Sequence, residues 1–280
     1  MYQGFYNLTS GMLTQQRRLN VVSNNMVNIE TAGYKKDTMT ATTFQEEMLI
    51  RTGKYNKDNP TELTTTSKIV AADQTYTNYD QGSFVQTDDI YDFAIGGDGW
   101  FSIQTESGVR YTRDGSFSVD SEGYLELNGL GRVLGSNDQP IRIPTENFVV
   151  DTAGNILVDS GAAAEKTGKA TDTTETTDTT ETAQAAETVN YGQIKLVNFQ
   201  DLTQLHKEDN GLYSTNQAAT VVNGADGTQL QWTMLEKANV DLVDEMTTMI
   251  SSQRALQSAA QMLKMYDSVM AKSSSDVGRL

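Results

Sequence analysis

One histidine, no cysteine and 37 acidic residues bound the side-chain chemistry open to this chain. His206 stands between Leu205 and Lys207. A single imidazole builds neither a His-based triad nor a two-histidine metal site within one chain. Without cysteine there is no thiol nucleophile, no disulfide and no thiolate ligand. The run Ile95-Gly-Gly-Asp-Gly-Trp100 matches neither a Walker loop nor GxGxxG, and reads as a tight turn. Asp114, Asp120 and Glu122 are spaced like β-turn residues and do not follow a calcium loop. A carboxylate pair for glycoside hydrolysis stays open among 37 acidic residues, but no spacing singles a pair out. The reading is therefore a protein that is not an enzyme, with no catalytic, cofactor-binding or metal-binding residue and no cofactor.

Charge narrows the partners. The 280 residues hold 21 Lys and Arg against 37 Asp and Glu, a formal charge of -16. Phosphate backbones are repelled and no basic cluster reverses this, so nucleic acid is excluded as a partner. No run of about 18 apolar residues exists, so no transmembrane segment is expected. The N-terminus does not read as a signal peptide, because Thr9, Ser10, Gln15, Gln16, Arg17 and Arg18 break any apolar core. The chain is then cytosolic, or leaves by a route that keeps its N-terminus.

With chemistry set aside, the pattern of apolar residues becomes the main signal. Met1, Phe5, Leu8, Met12, Leu19, Val22, Met26 and Ile29 step by four and three, with Gln15 as the one interruption. This heptad seam predicts a helix over 1–32, roughly 45 Å long, ending at a Gly33 C-cap. Residues 235–280 hold its counterpart. Leu242, Met246, Met249, Leu256, Ala260, Leu263 and Met270 carry the second seam, with Gln253 and Asp267 in its remaining positions. The helix is expected over 239–272, capped by Asn239 or Asp241. A seam needs a partner, and these two are natural partners for each other. A two-helix pair still leaves apolar surface uncovered, which points to neighbours of the same kind and hence to polymerisation.

Between the helices, 37–74 is rich in Thr, Asn and Lys and reads as an extended linker. Residues 75–234 alternate short apolar runs with turn signals, as in Trp100-Phe-Ser-Ile103, Glu106-Ser-Gly108, Val109-Arg-Tyr111 and Asn128-Gly129. They predict antiparallel hairpins in a β-rich domain. Residues 160–190 repeat a Thr/acid unit with little to bury, and read as a disordered insert within that domain. The fold class is mixed α and β: long N- and C-terminal helices paired as a coiled-coil-like unit, 1–36 and 235–280, around a central antiparallel β-rich domain.

Four blocks give this arrangement a family. Leu19-Asn-Val-Val-Ser-Asn-Asn-Met-Val-Asn-Ile-Glu-Thr-Ala-Gly-Tyr-Lys35 resembles the N-terminal signature of the bacterial flagellar rod and hook axial proteins. Ala238-Asn-Val-Asp-Leu-Val-Asp-Glu-Met-Thr-Thr-Met-Ile-Ser-Ser-Gln-Arg-Ala255 is similar to the C-terminal one. Asp92-Phe-Ala-Ile-Gly-Gly-Asp-Gly-Trp-Phe101 and Tyr111-Thr-Arg-Asp-Gly-Ser-Phe-Ser-Val-Asp-Ser-Glu-Gly-Tyr-Leu125 resemble the middle β domain of rod proteins of the FlgF/FlgG type. The resemblance covers nearly the whole chain except 160–190, which has no counterpart in the family pattern.

The resemblance implies a structural subunit of the flagellar basal-body rod. It would polymerise through its terminal helices into the tubular drive shaft and assemble with other rod and hook proteins. It would pass the flagellar type III export apparatus without losing a signal peptide. The implied assembly interface is Phe5, Leu8, Met12, Leu19, Val22, Met26 and Ile29 with Leu242, Met246, Met249, Leu256 and Leu263. Asn24, Asn25 and Asn28 would bond neighbouring helices or the chain after Gly33. Arg254 would serve as an intersubunit ion-pair donor, with Arg17 and Arg18. A distal-rod type is favoured. A proximal-rod or hook-basal-body paralogue, and a secreted cell-surface binding module, stand as alternatives.

Overall fold

A computed structural model describes residues 2–44, 47–51, 61–66, 69–143, 145, 147–159, 188–222, 224 and 227–277. The chain divides into two compact units, one of residues 1–29, 35–80 and 239–280, the other of 30–34 and 81–238.

The first unit contains both long helices. Helix α1 spans Tyr2–Val27 and α2 spans Leu242–Val277. α2 is rich in good helix formers such as alanine, leucine, methionine and glutamine, whereas α1 carries glycines, threonines and asparagines, so packing must supply most of its stability. The two helices pack against each other. The end of α1 around Val22 lines one cleft with the start of α2 around Glu245, so they run antiparallel. Strands β1 (Asp37–Phe44), β2 (Glu47–Arg51), β3 (Thr61–Thr66) and β4 (Ile69–Thr77) follow α1. β1 pairs antiparallel with β4, and β2 with β3. The β1–β4 ribbon also packs on α1.

The expectations for this unit need several adjustments. α1 ends at Val27, and residues 28–33 continue as turns. Asn24, Asn25 and Asn28 lie where regular helix gives out, in keeping with the poor helix propensity of asparagine. Gly33 does take the left-handed conformation, φ 65°, but six residues beyond the last helical one. Within the 37–74 segment, the described residues 37–44, 47–51, 61–66 and 69–74 are paired strand rather than unpaired linker; β-branched threonine and isoleucine favour that. α2 starts at Leu242 and runs five residues past Lys272. Of the two candidate caps, Asp241 is the one used. Its carboxylate accepts from Val243 N at 2.8 Å and, more loosely, from Asp244 N at 3.4 Å.

The second unit is antiparallel β. Its strands are β5 (Phe84–Gln86), β6 (Phe93–Gly96), β7 (Trp100–Thr105), β8 (Gly108–Thr112), β9 (Ser118–Val119), β10 (Leu125–Leu127), β11 (Gly131–Val133), β12 (Phe148–Val150), β13 (Asn155–Asp159), β14 (Thr188–Gln193), β15 (Leu196–Asn198), β16 (His206–Lys207), β17 (Tyr213–Ser214), β18 (Thr220–Val221), β19 (Gln229–Trp232) and β20 (Met234–Glu236). The largest sheet runs β16-β17-β8-β7-β11-β10-β9, with β15 joining β7 to β18. β7 is central, and Trp100, Phe101, Ser102 and Ile103 are all buried. Where only one face is covered the burial alternates, as at Phe148, Val149 and Val150. Phe93, Phe101, Phe117, Leu125, Ile156 and Leu196 belong to one continuous core. The short runs expected as strands are strands here. Residues 160–187 of the expected insert lie outside the described residues. Thr188–Asn190, counted with that insert, belong to β14, and β14 pairs antiparallel with β13.

Candidate assembly site

Asn25 is the most informative polar residue of the first unit. It is 1% exposed in the last turns of α1. Its amide Nδ2 donates to the Asp37 carbonyl at 2.9 Å, and its Oδ1 accepts from the Asp37 N–H at 3.0 Å. One side chain therefore reproduces a strand partner for the first residue of β1. Beside it, Lys36 Nζ lies 2.7 Å from Glu245 Oε1 in the first turn of α2, with the carboxylate buried. Lys36 N donates to Asn239 Oδ1 at 2.7 Å, and its carbonyl accepts from Asn78 N at 2.8 Å. Asn239 Nδ2 donates to the carbonyls of Asn78 and Asp80, both at 2.9 Å. The buried Lys35 also gives its ammonium to Asp80 O, at 2.9 Å. Three stretches far apart in sequence, 35–37, 78–80 and 239–245, are thus held by side chains bonding to backbone.

The three asparagines separate. Asn25 bonds the chain after Gly33, as expected for this group. Asn28 Nδ2 bonds Asn24 O at 2.8 Å, extending the helix end, and Asn24 is exposed. Along α1, Leu8, Met12, Gln15, Leu19, Met26 and Ile29 are partly buried and Val22 is buried, while Phe5 is exposed and Met1 lies outside the described residues. On α2 the covered face is shifted. Met249, Leu256, Leu263 and Met270 lie on it, but the other four positions are Glu245, Ser252, Ala259 and Tyr266. Leu242 and Met246 are exposed, and so is Ala260. The physical reason is legible in side-chain size and pairing. Ser252 and Ala259 allow close helix approach, Glu245 has Lys36, and Tyr266 replaces the charged Asp267 that the other phase would bury. Arg17, Arg18 and Arg254 are exposed.

The second unit is organised on an ion pair that sequence reasoning missed. Arg113 Nη1 lies 3.3 Å from Glu236 Oε2, with both side chains buried. Arg113 Nη2 donates to Gly97 O at 2.9 Å, and its guanidinium lies 5.5 Å from the Trp100 ring centre. Burial pulls the guanidinium below its ordinary value, opposed by the neighbouring Glu236 charge. Glu236 also accepts from Gly82 N at 2.9 Å, and its backbone carbonyl accepts from Gly33 N at 2.7 Å. A Cβ at Gly33 would sit 2.3 Å from the Arg113 carbonyl carbon, so only glycine fits. Nearby, Gly115 O accepts from Phe93 N at 3.0 Å. Asp114 accepts from the Ser116 N–H and hydroxyl at 3.0 and 2.7 Å. The Gly-Gly-Asp-Gly and Arg-Asp-Gly motifs thus brace each other. Burial, the largest cause, raises both Asp92 and Asp114 above the usual carboxylate range.

Among the described residues no group of three or more His, Asp or Glu is placed to hold a metal ion. No helix among them is long and apolar enough to cross a membrane. Fold and site define a protein with long helical termini, paired with each other, and an antiparallel β-rich body formed by the chain that joins them in sequence. Three family models match the chain in that order: flagella basal body rod protein over 5–35, flagellar hook protein FlgE/F/G D1 domain over 94–160, and flagellar basal body rod FlgEFG protein C-terminal over 233–276. The chain is similar to the flagellar basal-body rod protein FlgF of Caulobacter vibrioides, with 30% identity over 100% of this chain and 98% of the relative. It is also similar to the FlgG rod protein of Bacillus subtilis, with 30% identity over 96% of this chain and 97% of the relative. The flagellar hook-basal body complex protein FlhO of Bacillus subtilis is 26% identical over the full length of both chains. The chain belongs to the flagellar basal-body rod proteins of the FlgF/FlgG type. It is a structural subunit of the rod, located in the flagellar basal body.

Proposed function

We propose that α1 and α2 form a coiled-coil-like unit that polymerises into an open helical tube, the shaft that transmits rotation in flagellum-dependent motility. The observation that carries this is the apolar surface left after the helices pair: Val243, Met246, Ile250, Met262, Met265 and Val269 are exposed on α2. The seam residues Leu8, Met12, Leu19, Val22, Met26, Ile29, Met249, Leu256 and Leu263 build the unit, and Phe5, Leu242, Met246, Asn24, Asn28 and Arg254 face neighbours. Subunits in such a tube make head-to-tail contacts that do not close. The chain carries no reaction of its own. It passes the flagellar type III export apparatus with its N-terminus intact, and the seamed N-terminal helix, which must survive for pairing, supports that. Among rod positions we favour the distal one; the paired strands β1 to β4 that follow α1 support it.

Electron microscopy and light scattering of the concentrated protein test polymerisation. Open filaments are expected; a fixed small oligomer would overturn it in favour of a binding module. Deleting the gene and imaging the basal body tests position. A rod that stops just short of the hook is expected, and one that stops at its base would make this a proximal subunit.

A further inference from the structure

The face of α2 turned to α1 sets a heptad frame for the whole helix. With Met249, Leu256, Leu263 and Met270 as a, and Glu245, Ser252, Ala259 and Tyr266 as d, every other residue falls on a definite flank. Val243, Met246 and Ile250 take b, e and b. Met262, Met265 and Val269 take g, c and g. Positions b and e share one flank of such a helix, and c and g share the other. The two exposed apolar patches therefore lie on opposite flanks and at opposite ends of α2. All six side chains are between 46% and 68% exposed.

Two further features make the patches a matched pair. Their spacing is identical: each residue of the second stands 19 positions after its counterpart in the first. Each flank also carries large apolar side chains only where the other has none. Opposite the first patch stand Asp244 and Ser251; opposite the second stand Lys264 and Asp267, all four exposed. Two copies meeting flank to flank in register would press apolar side chains against charges at both ends. A shift of 19 residues, about 28 Å at 1.5 Å per residue, puts apolar on apolar instead.

We infer that Val243, Met246 and Ile250 of one subunit pack on Met262, Met265 and Val269 of the next, with the second subunit displaced by about 28 Å along parallel α2 helices. The occupant is a second copy of this chain, because both halves of the contact, with matching spacing, are present on one helix. This rests on the polymerisation reading and specifies its lateral contact. Each patch offers a few hundred Å², well below the roughly 800 Å² per partner of a stable complex. One contact does not hold a dimer, but a chain of subunits, each using both flanks, accumulates them. The contact is heterologous and leaves a free patch at each end.

The absence of cysteine makes the test direct. The full-length protein carrying Ile250→Cys and Val269→Cys together is allowed to form filaments and then oxidised. Denaturing gels should show a ladder of dimers, trimers and larger species. Each single variant alone should stay monomeric, and a mixture of the two should stop at dimers. Gln257→Cys with Val269→Cys, a mismatched register on the same flanks, should cross-link at least tenfold less. Filaments that form without the ladder, or single variants that dimerise with themselves, would overturn the staggered contact while leaving polymerisation standing. A protein that forms no filaments, unsubstituted or doubly substituted, would overturn both.

Discussion

Replacing Glu236 by glutamine removes the negative charge opposite Arg113 while keeping side-chain volume and an acceptor for Gly82 N. The guanidinium, buried and 3.3 Å away, is left without its counter-ion. Breaking a buried pair from one side costs about 3–5 kcal/mol, because the remaining charge cannot recover its hydration. For a unit of this size that corresponds to a fall in melting temperature of about 10–15 °C. Arg113→Met should cost a similar amount by stranding the carboxylate. The double variant, Arg113→Met with Glu236→Gln, removes both charges and loses chiefly the bonds from Arg113 to the carbonyls of Gly97 and Ile95. It should cost less than the sum of the single variants by about 2–3 kcal/mol. The assay is built into the chain. Its two tryptophans, Trp100 and Trp232, both belong to the β-rich unit, so their fluorescence in a urea titration of the full-length protein follows that unit. Additivity within about 0.5 kcal/mol would refute the reasoning, since it would mean the two charges do not depend on each other.

Gly115→Ala places a methyl group 1.7 Å from the Phe93 carbonyl oxygen, and should unfold the β-rich unit or prevent its soluble production, as judged by the same fluorescence. The raised values of Asp92 and Asp114 give stability a definite pH slope. Their folded values exceed the unfolded ones, so the folded state binds more protons between them. Stability should rise as pH falls from 7 through the raised values, and level off near the unfolded value of about 4. Asp120, Asp201 and Glu208 are shifted the other way by hydrogen bonds, so their contribution is lost only below about 4. Urea midpoints at pH 7, 6 and 5 check this, and Asp114→Asn should flatten the slope. Asn25→Ala strips the Asp37 N–H and C=O of their partner and should cost the helical unit about 2–3 kcal/mol. Hydrogen exchange at Asp37 should speed up and motility should fall, whereas unchanged exchange with normal filaments would count against the role given to Asn25.

The helices and hairpins were legible because burial imposes a period on the chain. Leu8, Met12, Leu19 and Val22 on α1, and Leu125 and Leu127 in β10, show it without ambiguity. The α2 face was legible only by half. Polar residues interrupt either phase, Gln253 and Asp267 in one, Glu245 and Ser252 in the other, and periodicity does not say which polar residues are paired or small enough to bury. Lys36, 209 positions from Glu245 in sequence, settles it. Arg113 and Glu236 stayed hidden for the same reason: a 123-residue separation leaves no local pattern, although Arg113 sits inside a family motif. Asn25 was found because three asparagines at the end of an amphipathic helix conflict with propensity, and such conflicts mark residues with a task elsewhere.

β13 and β14 are adjacent antiparallel strands, with Asp159 opposite Thr188. The pairing of β13 with β14 is set by the register of Ile156, Val158 and Val189, and the entropic cost of closing a longer connection grows only with the logarithm of its length. The connection from Asp159 to Thr188 can therefore change in length at little cost to this register. It is also where a fluorophore or affinity tag can be inserted to follow a working motor.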